Sequence, residues 1–201
     1  MKTLFLDLAS HDALIACVDD QKVIASESVH ARIGDHELIP MTEKVLAEAK
    51  WTFEDLEGIA CVIGPGGFTS LRVAVTFGNV LADQLKIPSV GIHLSVLYRA
   101  RVESGKRKVE NEFWLHSTKK DQLFVQGGDF VEPTLISLDD FSALCTLHSP
   151  LSWMGELIDA HREKINTDHV ELQSVIDVLP IFLASQNFDA KLLTPWYGRG
   201  W

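Results

Sequence analysis

The chain has 201 residues, of which 46% are hydrophobic and 23% charged, and 18 lysines and arginines against 28 aspartates and glutamates give a formal net charge of −10. This composition is that of a globular protein with a sizeable core, and it excludes intrinsic disorder. A protein that grips phosphate backbones needs a basic face. The acidic balance therefore argues against this chain as the primary nucleic-acid contact, and any role with RNA is expected to be through a partner.

Three cysteines, Cys17, Cys61 and Cys145, are far apart in the chain. An odd, sparse set of this kind is typical of reduced core thiols in a cytosolic protein. The N-terminus reaches Asp7 too soon for a signal-peptide core, and no stretch has the roughly 20 apolar residues that span a membrane. We therefore expect a cytoplasmic protein.

The first half of the chain predicts the element order βββαβαβ. Apolar or alternating runs at 3–9, 13–18 and 23–29 predict an antiparallel meander. Helical spacing follows over His36–Lys50, with Pro40 expected in the first turn. Next come a buried strand (Ile59–Ile63), a glycine turn, a helix capped by Thr69 that reaches about Lys86, and a strand (Ser89–Ile92).

The second half predicts a similar order. Strands are expected at Phe113–Ser117, Leu123–Gln126, Val131–Ser137, Leu151–Met154 and His169–Leu172, and helices at Asp139–Leu147, Glu156–Lys164 and Val175–Gln186. The shared βββαβα order predicts two duplicated lobes, residues 1–104 and 105–201, with the basic run Lys106–Lys108 at their boundary.

The segment Gly64-Pro65-Gly66-Gly67 lies between a predicted strand and a predicted helix. Glycines at such a junction allow a tight turn or the close approach of a ligand, and a helix N-terminus attracts anions. No Gly-Lys-Ser/Thr follows, so the lysine of a P-loop is missing. A backbone turn, with Gly66 or Gly67 at positive φ, and a phosphate site both remain open. The candidate phosphate-loop residues are Asp7, Gly64, Gly66, Gly67 and Thr69.

Other catalytic patterns are missing from the sequence. No two of the eight histidines are four residues apart, so one helical face cannot present two imidazoles to a metal ion. No G-x-S-x-G segment occurs. Gly127-Gly128-Asp129 predicts a hairpin turn rather than a second phosphate loop. We expect no metal, no cofactor and no catalytic residue.

The stretch from Gly64 to Arg72 resembles the G-P-G-S-F-T-G-L-R signature of the TsaB (YeaZ) family. The likeness continues without a gap to Ile87-Pro88. Weaker markers are Leu4-Phe5-Leu6-Asp7, which resembles the opening strand, His36-Glu37-Leu38-Ile39-Pro40, which resembles the start of the first helix, and Pro195-Trp196-Tyr197-Gly198-Arg199, which resembles the closing P-x-Y-x-R. The chain departs from the pattern at Ala9, where serine is usual, and at Asn79, where lysine is usual.

The resemblance implies an α/β chain with the actin-like ATPase fold, the ribonuclease H-like fold of sugar kinases, Hsp70 and actin, in which two duplicated lobes have mixed sheets. It implies a non-catalytic subunit that binds and supports a TsaD-type enzyme in forming N6-threonylcarbamoyladenosine at position 37 of tRNA. The expected partner is a TsaD-like subunit, with a TsaE-like ATPase as a further one and a homodimer as the alternative pairing; tRNA is reached only through the partner. A rival function is a small ATP-dependent kinase of the same fold, and a peptidase is a third, for which no catalytic group is present.

The predicted helix from Thr69 to Lys86 is apolar on more than one face, which is typical of a helix that is fully buried or docked on a partner. The resemblance implies pairing through the first-lobe helices. The sequence does not separate core from interface within the candidate set, which is Leu38, Met41, Val45, Leu71, Val75 and Phe77.

Overall fold

The first half of the chain forms a five-stranded mixed sheet in the computed structural model, which describes residues 1–30, 33–102, 112–119, 121–147, 151–165 and 167–198. The strands are β1 (Thr3–Asp7), β2 (Ala13–Val18), β3 (Val23–Val29), β4 (Gly58–Gly64) and β5 (Ser89–His93). They lie in the order β3-β2-β1-β4-β5, with β1 to β3 antiparallel and β4 and β5 parallel to β1. The predicted meander and the predicted order βββαβαβ are confirmed.

Helix α1 (Asp35–Ala49) packs on β2 and β3. At its start the backbone N–H of Gly34 donates to Oε2 of Glu37 at 2.7 Å, as in one half of a capping box. The prediction that Pro40 lies in the first turn is wrong. Since the helix begins at Asp35, Pro40 is inside it, where its ring removes one hydrogen bond of the helical ladder.

Helix α2 (Phe68–Leu85) packs on β1, β4 and β5 and ends at Lys86, whose φ is 57°. The prediction that Thr69 caps this helix is wrong. Gly67 occupies the cap position with φ −62° and ψ 128° and makes no side-chain cap bond. Because Gly67 is already extended, Phe68 is the first helical residue, and the N–H of Leu71 donates to the Gly67 carbonyl at 2.9 Å.

The second half forms another five-stranded mixed sheet with a similar arrangement of strands. Its strands are β6 (Glu112–Lys119), β7 (Gln122–Gly127), β8 (Phe130–Ser137), β9 (Ser152–Glu156) and β10 (Asp168–His169), in the order β10-β9-β6-β7-β8. Strands β6 to β8 form an antiparallel meander, and β9 pairs parallel with β6 as β4 does with β1. The predicted duplication of architecture is therefore present at the level of topology.

The remaining helices are α3 (Leu94–Ala100), α4 (Leu138–Leu147), α5 (Asp159–Ile165) and α6 (Val175–Ala184). Sequence analysis did not predict the short α3. It also assigned Glu156 to a helix, whereas this residue ends β9 and the helix begins at Asp159. Helix α6 forms as predicted, and its start is capped by the Ser174 hydroxyl, which accepts a hydrogen bond from the Ile176 N–H at 3.3 Å.

Two compact units divide the chain differently from the predicted boundary between residues 104 and 105. The first comprises Met1–Leu94 and Ser174–Tyr197, and the second Ser95–Gln173 and Gly198–Trp201. The segment from Ser174 returns to the first unit because its backbone pairs there: the amide and carbonyl of Ser89 exchange hydrogen bonds with those of Asp189 at 2.7 and 3.0 Å. Lys106–Lys108 and Arg199, noted in the sequence, lie outside the described residues.

Each unit has its own apolar core. Leu4, Leu6, Ile15 and Ile59 are fully buried in the first. In the second, Trp114 and Trp153 are the largest fully buried side chains. Within the described ranges, no helix has both the length and the apolar character needed to cross a membrane.

Candidate functional site

Asp7, at the end of β1, is the first-strand acid among the phosphate-loop candidates. Its carboxylate Oδ1 accepts hydrogen bonds from the backbone N–H groups of Ala9 and Ser10 at 2.9 and 3.0 Å. Oδ2 accepts one from the Ser10 hydroxyl at 2.5 Å. The side chain is only 4% exposed. Asp7 therefore holds the turn between β1 and β2, and any metal or phosphate ligand has to compete with these bonds.

The glycine turn, residues 64–67, joins β4 to α2. Gly64 has φ +137°, and a Cβ at this position would overlap the backbone carbonyl oxygen of Trp196. A Cβ on Gly66 would lie 2.8 Å from the Cα of Ala9 in the β1–β2 turn. Neither Gly66 nor Gly67 has the positive φ that sequence analysis considered for them. The left-handed conformation belongs to Gly64, where only glycine is free of strain.

The phosphate-loop candidates meet at one edge of the first sheet, because β1 and β4 are parallel and the glycine turn follows the end of β4. Thr69 is exposed in the first turn of α2. The arrangement offers backbone amides at a helix start but no cationic side chain within the turn itself. A phosphate-binding role for these residues stays a prediction.

The C-terminal tail, residues 188–197, pairs with Ser89 at the start of β5 and reaches the edge with the glycine turn at Trp196. The N–H of Trp196 donates to the carbonyl of Ile63 at 2.8 Å. The Trp196 indole packs edge-on against the imidazole of His93, at the end of β5, with ring centroids 4.5 Å apart. Burial lowers the pKa of His93 to about 4. The tail therefore covers the end of β5 as well as the glycine turn.

Metal and thiol chemistry find no support in the part of the chain that the structure describes. It contains no group of three or more histidine, cysteine, aspartate or glutamate side chains that could hold a metal ion. Cys17 and Cys61 are buried and Cys145 is half-buried, all as free thiols. Burial raises the pKa of Cys17 to about 12 and also raises the pKa of Cys61. Protonated buried thiols are poor nucleophiles.

An apolar groove of about 400 Å³ lies between α1 and α2. We call it the α1–α2 groove. Its lining residues are Leu38, Ile39, Arg72, Val73, Thr76, Phe77 and Val80. All of them belong to the first unit, and Arg72 is the single charged residue among them.

The structure separates core from surface among the predicted interface candidates. Leu38, Val45, Leu71 and Val75 are at most 3% exposed. They are core residues of this chain, because they lie on the faces of α1 and α2 that meet the sheet, and only Leu38 also reaches the groove wall. Met41 and Phe77 are half-buried and pack on the edge of the core.

Sequence analysis missed three exposed apolar side chains, two that line the groove and one at the start of α2. Ile39, Phe68 and Val80 are 51%, 53% and 52% exposed. Phe68, Arg72, Thr76 and Val80 are spaced by four residues and form one row along α2. That spacing was visible in the sequence. The missing information was which of several apolar rows faces the sheet, and the buried row Ser70, Ala74 and Gly78 supplies it.

The second unit holds a group of polar side chains that are buried except for the half-buried Ser117. We call it the second-unit polar cluster, and its members are Tyr98, His116, Ser117, Glu156 and His161. The Tyr98 hydroxyl donates to Oε1 of Glu156 at 2.7 Å, and Nδ1 of His116 lies 3.7 Å from Oε2 of Glu156. Oγ of Ser117 lies 2.9 Å from Nδ1 of His161. His161 is fully buried and Ser117 is half-buried. The Ser117 Oγ also accepts a hydrogen bond from the Ile158 N–H at 3.0 Å, so the pair links β6 to α5 and to the segment before it.

Comparison with known proteins gives a family match that runs from the first half of the chain into the second. The sequence model described as "TsaD: tRNA N6-adenosine threonylcarbamoyltransferase" matches residues 28–136, more than half of the chain. A relative from Buchnera aphidicola subsp. Schizaphis graminum, named tRNA threonylcarbamoyladenosine biosynthesis protein TsaB, is 37% identical over 102 residues, 49% of this chain and 48% of that protein. The protein of the same name from Buchnera aphidicola subsp. Acyrthosiphon pisum is 24% identical over 161 residues, 73% of this chain and 72% of its own length. The chain thus spans about half the length of the first relative and more of the second.

Solved structures agree on the fold across the whole chain. YeaZ from Pseudomonas aeruginosa superposes with a TM-score of 0.71 at 17% identity and covers 98% of this chain and 99% of its own. A Clostridium difficile activator of 2-hydroxyisocaproyl-CoA dehydratase with bound ADPNP superposes with a TM-score of 0.51 at 11% identity, covering 92% of this chain and 94% of its own. The predicted actin-like ATPase fold is confirmed. The chain therefore belongs to the family of TsaD-related tRNA N6-adenosine threonylcarbamoyltransferase proteins, within which it is a TsaB (YeaZ) member.

Proposed function

We propose that this chain is a non-catalytic, cytoplasmic subunit that binds and supports a TsaD-type enzyme in forming N6-threonylcarbamoyladenosine at position 37 of tRNA. Family membership and the names of the two TsaB relatives support the pathway. The net charge of −10 supports contact with tRNA through the partner rather than through this chain.

The non-catalytic role is supported by the structural contacts that the candidate phosphate-loop residues already make. Both carboxylate oxygens of Asp7 accept hydrogen bonds from the β1–β2 turn. The glycine turn has no neighbouring lysine, and Gly64 packs against the backbone of Trp196. A phosphoryl-transfer enzyme places cations and metal-binding carboxylates around the phosphate, and this edge of the sheet uses its polar groups to join strand ends.

The α1–α2 groove is the observation that carries the proposal. An apolar groove flanked by Ile39 and Val80, each about half exposed, loses its contact with water when a partner helix covers it. The TsaD-type subunit is the proposed occupant. A second copy of this chain is the competing one, and a TsaE-like ATPase is proposed to join the assembly elsewhere.

Arginine substitutions test the groove. Val80→Arg and Ile39→Arg place a charge on exposed positions, so the chain should stay folded, while burying the unpaired charge under a partner costs several kcal/mol and should weaken association at least about 100-fold. Ile181→Arg is the matched control, because Ile181 is an 80% exposed helical residue of the same unit that does not line the groove. Val45→Arg is the core control and should unfold the chain.

Association is measured by light scattering and calorimetry, for the chain alone and mixed with the TsaD-type protein of the same organism. Loss of the mixed complex in the two groove variants only supports the proposal. If Val80→Arg and Ile39→Arg melt like the wild type and still bind as tightly, the groove is not the interface. Loss of self-association alone assigns the groove to a homodimer.

The rival function, a small ATP-dependent kinase of the same fold, predicts tight nucleotide binding by the isolated chain. Calorimetry with ATP and Mg²⁺ separates the two functions. A dissociation constant in the low micromolar range, about −8 kcal/mol, would favour the kinase. We expect no binding in that range.

A further inference from the structure

Two family markers that lie far apart in the sequence form one structural unit in the fold. The glycine turn and the C-terminal tail meet where the N–H of Trp196 donates to the Ile63 carbonyl at 2.8 Å. The Trp196 carbonyl then occupies the space that a side chain on Gly64 would fill. The tail thus lies against the glycine turn at Gly64, the glycine of the turn that has a positive φ.

Asn79 of α2 binds the tail at Leu193, before the tail reaches the glycine turn. Its Nδ2 donates to the Leu193 carbonyl at 3.0 Å, and its Oδ1 accepts from the Leu193 N–H at 2.8 Å. A carboxamide can donate and accept at once, whereas the ammonium group of the lysine usual at this position can only donate. The departure from the family pattern at Asn79 therefore has a structural role in this chain, which is to bind the backbone of the tail to α2.

The tail ends beside the α1–α2 groove. The ring of Tyr197 lies 5.0 Å from the ring of Phe68 at an interplanar angle of 31°. The Arg72 guanidinium also packs on Phe68, at 5.2 Å from the ring centroid. Arg72 also lines the groove, so Phe68 and Tyr197 lie next to the groove at the start of α2. Tyrosine, phenylalanine and arginine are side chains enriched at protein interfaces.

We propose that residues 193–197 are a strap that is seated on the glycine turn, fixes the first turn of α2 and adds Tyr197 to the surface that binds the TsaD-type subunit. In this chain the glycine turn serves as the seat of the strap. The choice of partner rests on the proposed function, whereas the seating of the strap does not.

Three full-length variants test the strap. Asn79→Ala removes both hydrogen bonds to Leu193, and Trp196→Ala removes the ring packed on His93. Tyr197→Ala removes only the aromatic ring at the groove. Leu192→Ala is the matched control, because its side chain belongs to the tail and is 75% exposed.

Hydrogen exchange of the Leu193 and Trp196 amides reports the seating, and calorimetry with the TsaD-type subunit reports the docking. We expect Asn79→Ala and Trp196→Ala to speed exchange of these amides at least about 10-fold and to weaken partner binding by a similar factor. Tyr197→Ala should weaken binding about 10-fold with amide protection intact. Leu192→Ala should change neither.

Unchanged partner affinity in variants whose tail amides exchange rapidly overturns the docking role of the strap. Unprotected Leu193 and Trp196 amides in the wild type overturn the seating itself. If the wild type does not bind the TsaD-type subunit at all, the proposed function fails together with the docking role, and the seating is still decided by the exchange rates.

Discussion

Gly→Ala substitutions at three positions of the first unit test how the glycine turn is built. Gly64, Gly66 and Gly78 differ in backbone conformation and in the space that a methyl group would find. Gly64 has φ +137° and faces the Trp196 carbonyl, whereas Gly66 has no positive φ and a Cβ added to it would lie 2.8 Å from the Cα of Ala9. Gly78 lies inside α2, where a Cβ would meet only side-chain atoms at 3.4 Å or more, which is ordinary contact.

These differences give an ordered set of free energies of unfolding. Gly64→Ala combines backbone strain of about 1–3 kcal/mol with displacement of a backbone carbonyl, so we expect a loss of about 3–5 kcal/mol. Gly66→Ala lacks the strain but has to move the β1–β2 turn, for a loss of about 1–3 kcal/mol. Gly78→Ala replaces a helical glycine without a clash, so we expect a gain of about 0.5–1 kcal/mol.

Urea and thermal unfolding followed by circular dichroism measure the series. For a chain of this size, about 2–4 °C of melting temperature corresponds to each kcal/mol. Gly64→Ala should therefore melt about 6–20 °C lower and Gly78→Ala about 1–4 °C higher than the wild type. If Gly64→Ala is neutral, or if Gly78→Ala is as damaging as Gly64→Ala, then neither φ nor the contact with the tail determines the choice of glycine.

Three further predictions concern buried groups. Burial lowers the pKa of His93 from 6.5 to about 4, so protonation of this side chain opposes folding. The free energy of unfolding should therefore fall as pH drops from 6.5 towards 4, and His93→Gln should flatten this part of the curve. A titration midpoint near 6.5 by NMR would refute the burial. Cys17 and Cys61 should resist a thiol reagent at pH 8 in the folded chain while the half-buried Cys145 reacts, with all three reacting in urea; rapid labelling of all three without urea would contradict this. Tyr98→Phe removes a donor from the buried carboxylate of the second-unit polar cluster and should cost about 1.5–3 kcal/mol in urea unfolding; a loss below about 0.5 kcal/mol would show that the hydrogen bond contributes little.

The order of elements could be predicted from sequence because each signal is local. Short apolar runs separated by polar turns gave β1 to β3, and helical spacing gave α1 and α2. Helix boundaries were less accurate where a side chain suggested a cap, since Thr69 has a capping residue type but Gly67 already provides the extended backbone. Proline was also misplaced: Pro40 is tolerated inside α1, away from the first turn that its chemistry favours.

The face of α2 that meets the sheet could not be read from its sequence, because apolar residues occur on several sides. Packing decides it, through the row of Ala74 and Gly78 that is small enough to approach β4. A Cβ on Gly78 would already touch Ile59 and Leu193 at 3.4 Å, so little spare room exists on this side. The larger side chains of the next rows are thereby turned outward and form the groove surface, which a count of apolar residues does not distinguish from the core.

The return of the tail was equally invisible, because its bonds are made by the backbone. The side chain of Asn79 and the carbonyl of Ile63 recognise amides that every residue carries. Only the conformation of Gly64 marks the seat, and a sequence does not show whether a glycine is needed for φ, for space or for a ligand. The glycine signature alone therefore left a phosphate site and a backbone turn both open.

The family markers of the first unit depend on one another through a chain of contacts. Asp7 holds the N–H groups of the β1–β2 turn, which fixes Ala9 in place, and Ala9 in turn leaves room only for glycine at position 66. Gly64, at the other end of the same turn, is shaped to the backbone of Trp196. Each of these residues therefore constrains the position of the next one, and contacts within the fold account for the aspartate, the glycine turn and the aromatic tail of this chain. Phe68 directly follows the glycine turn and packs against Tyr197, so these contacts also fix the start of α2. The position of the groove depends on them, because residues of α2 from Arg72 to Val80 line it.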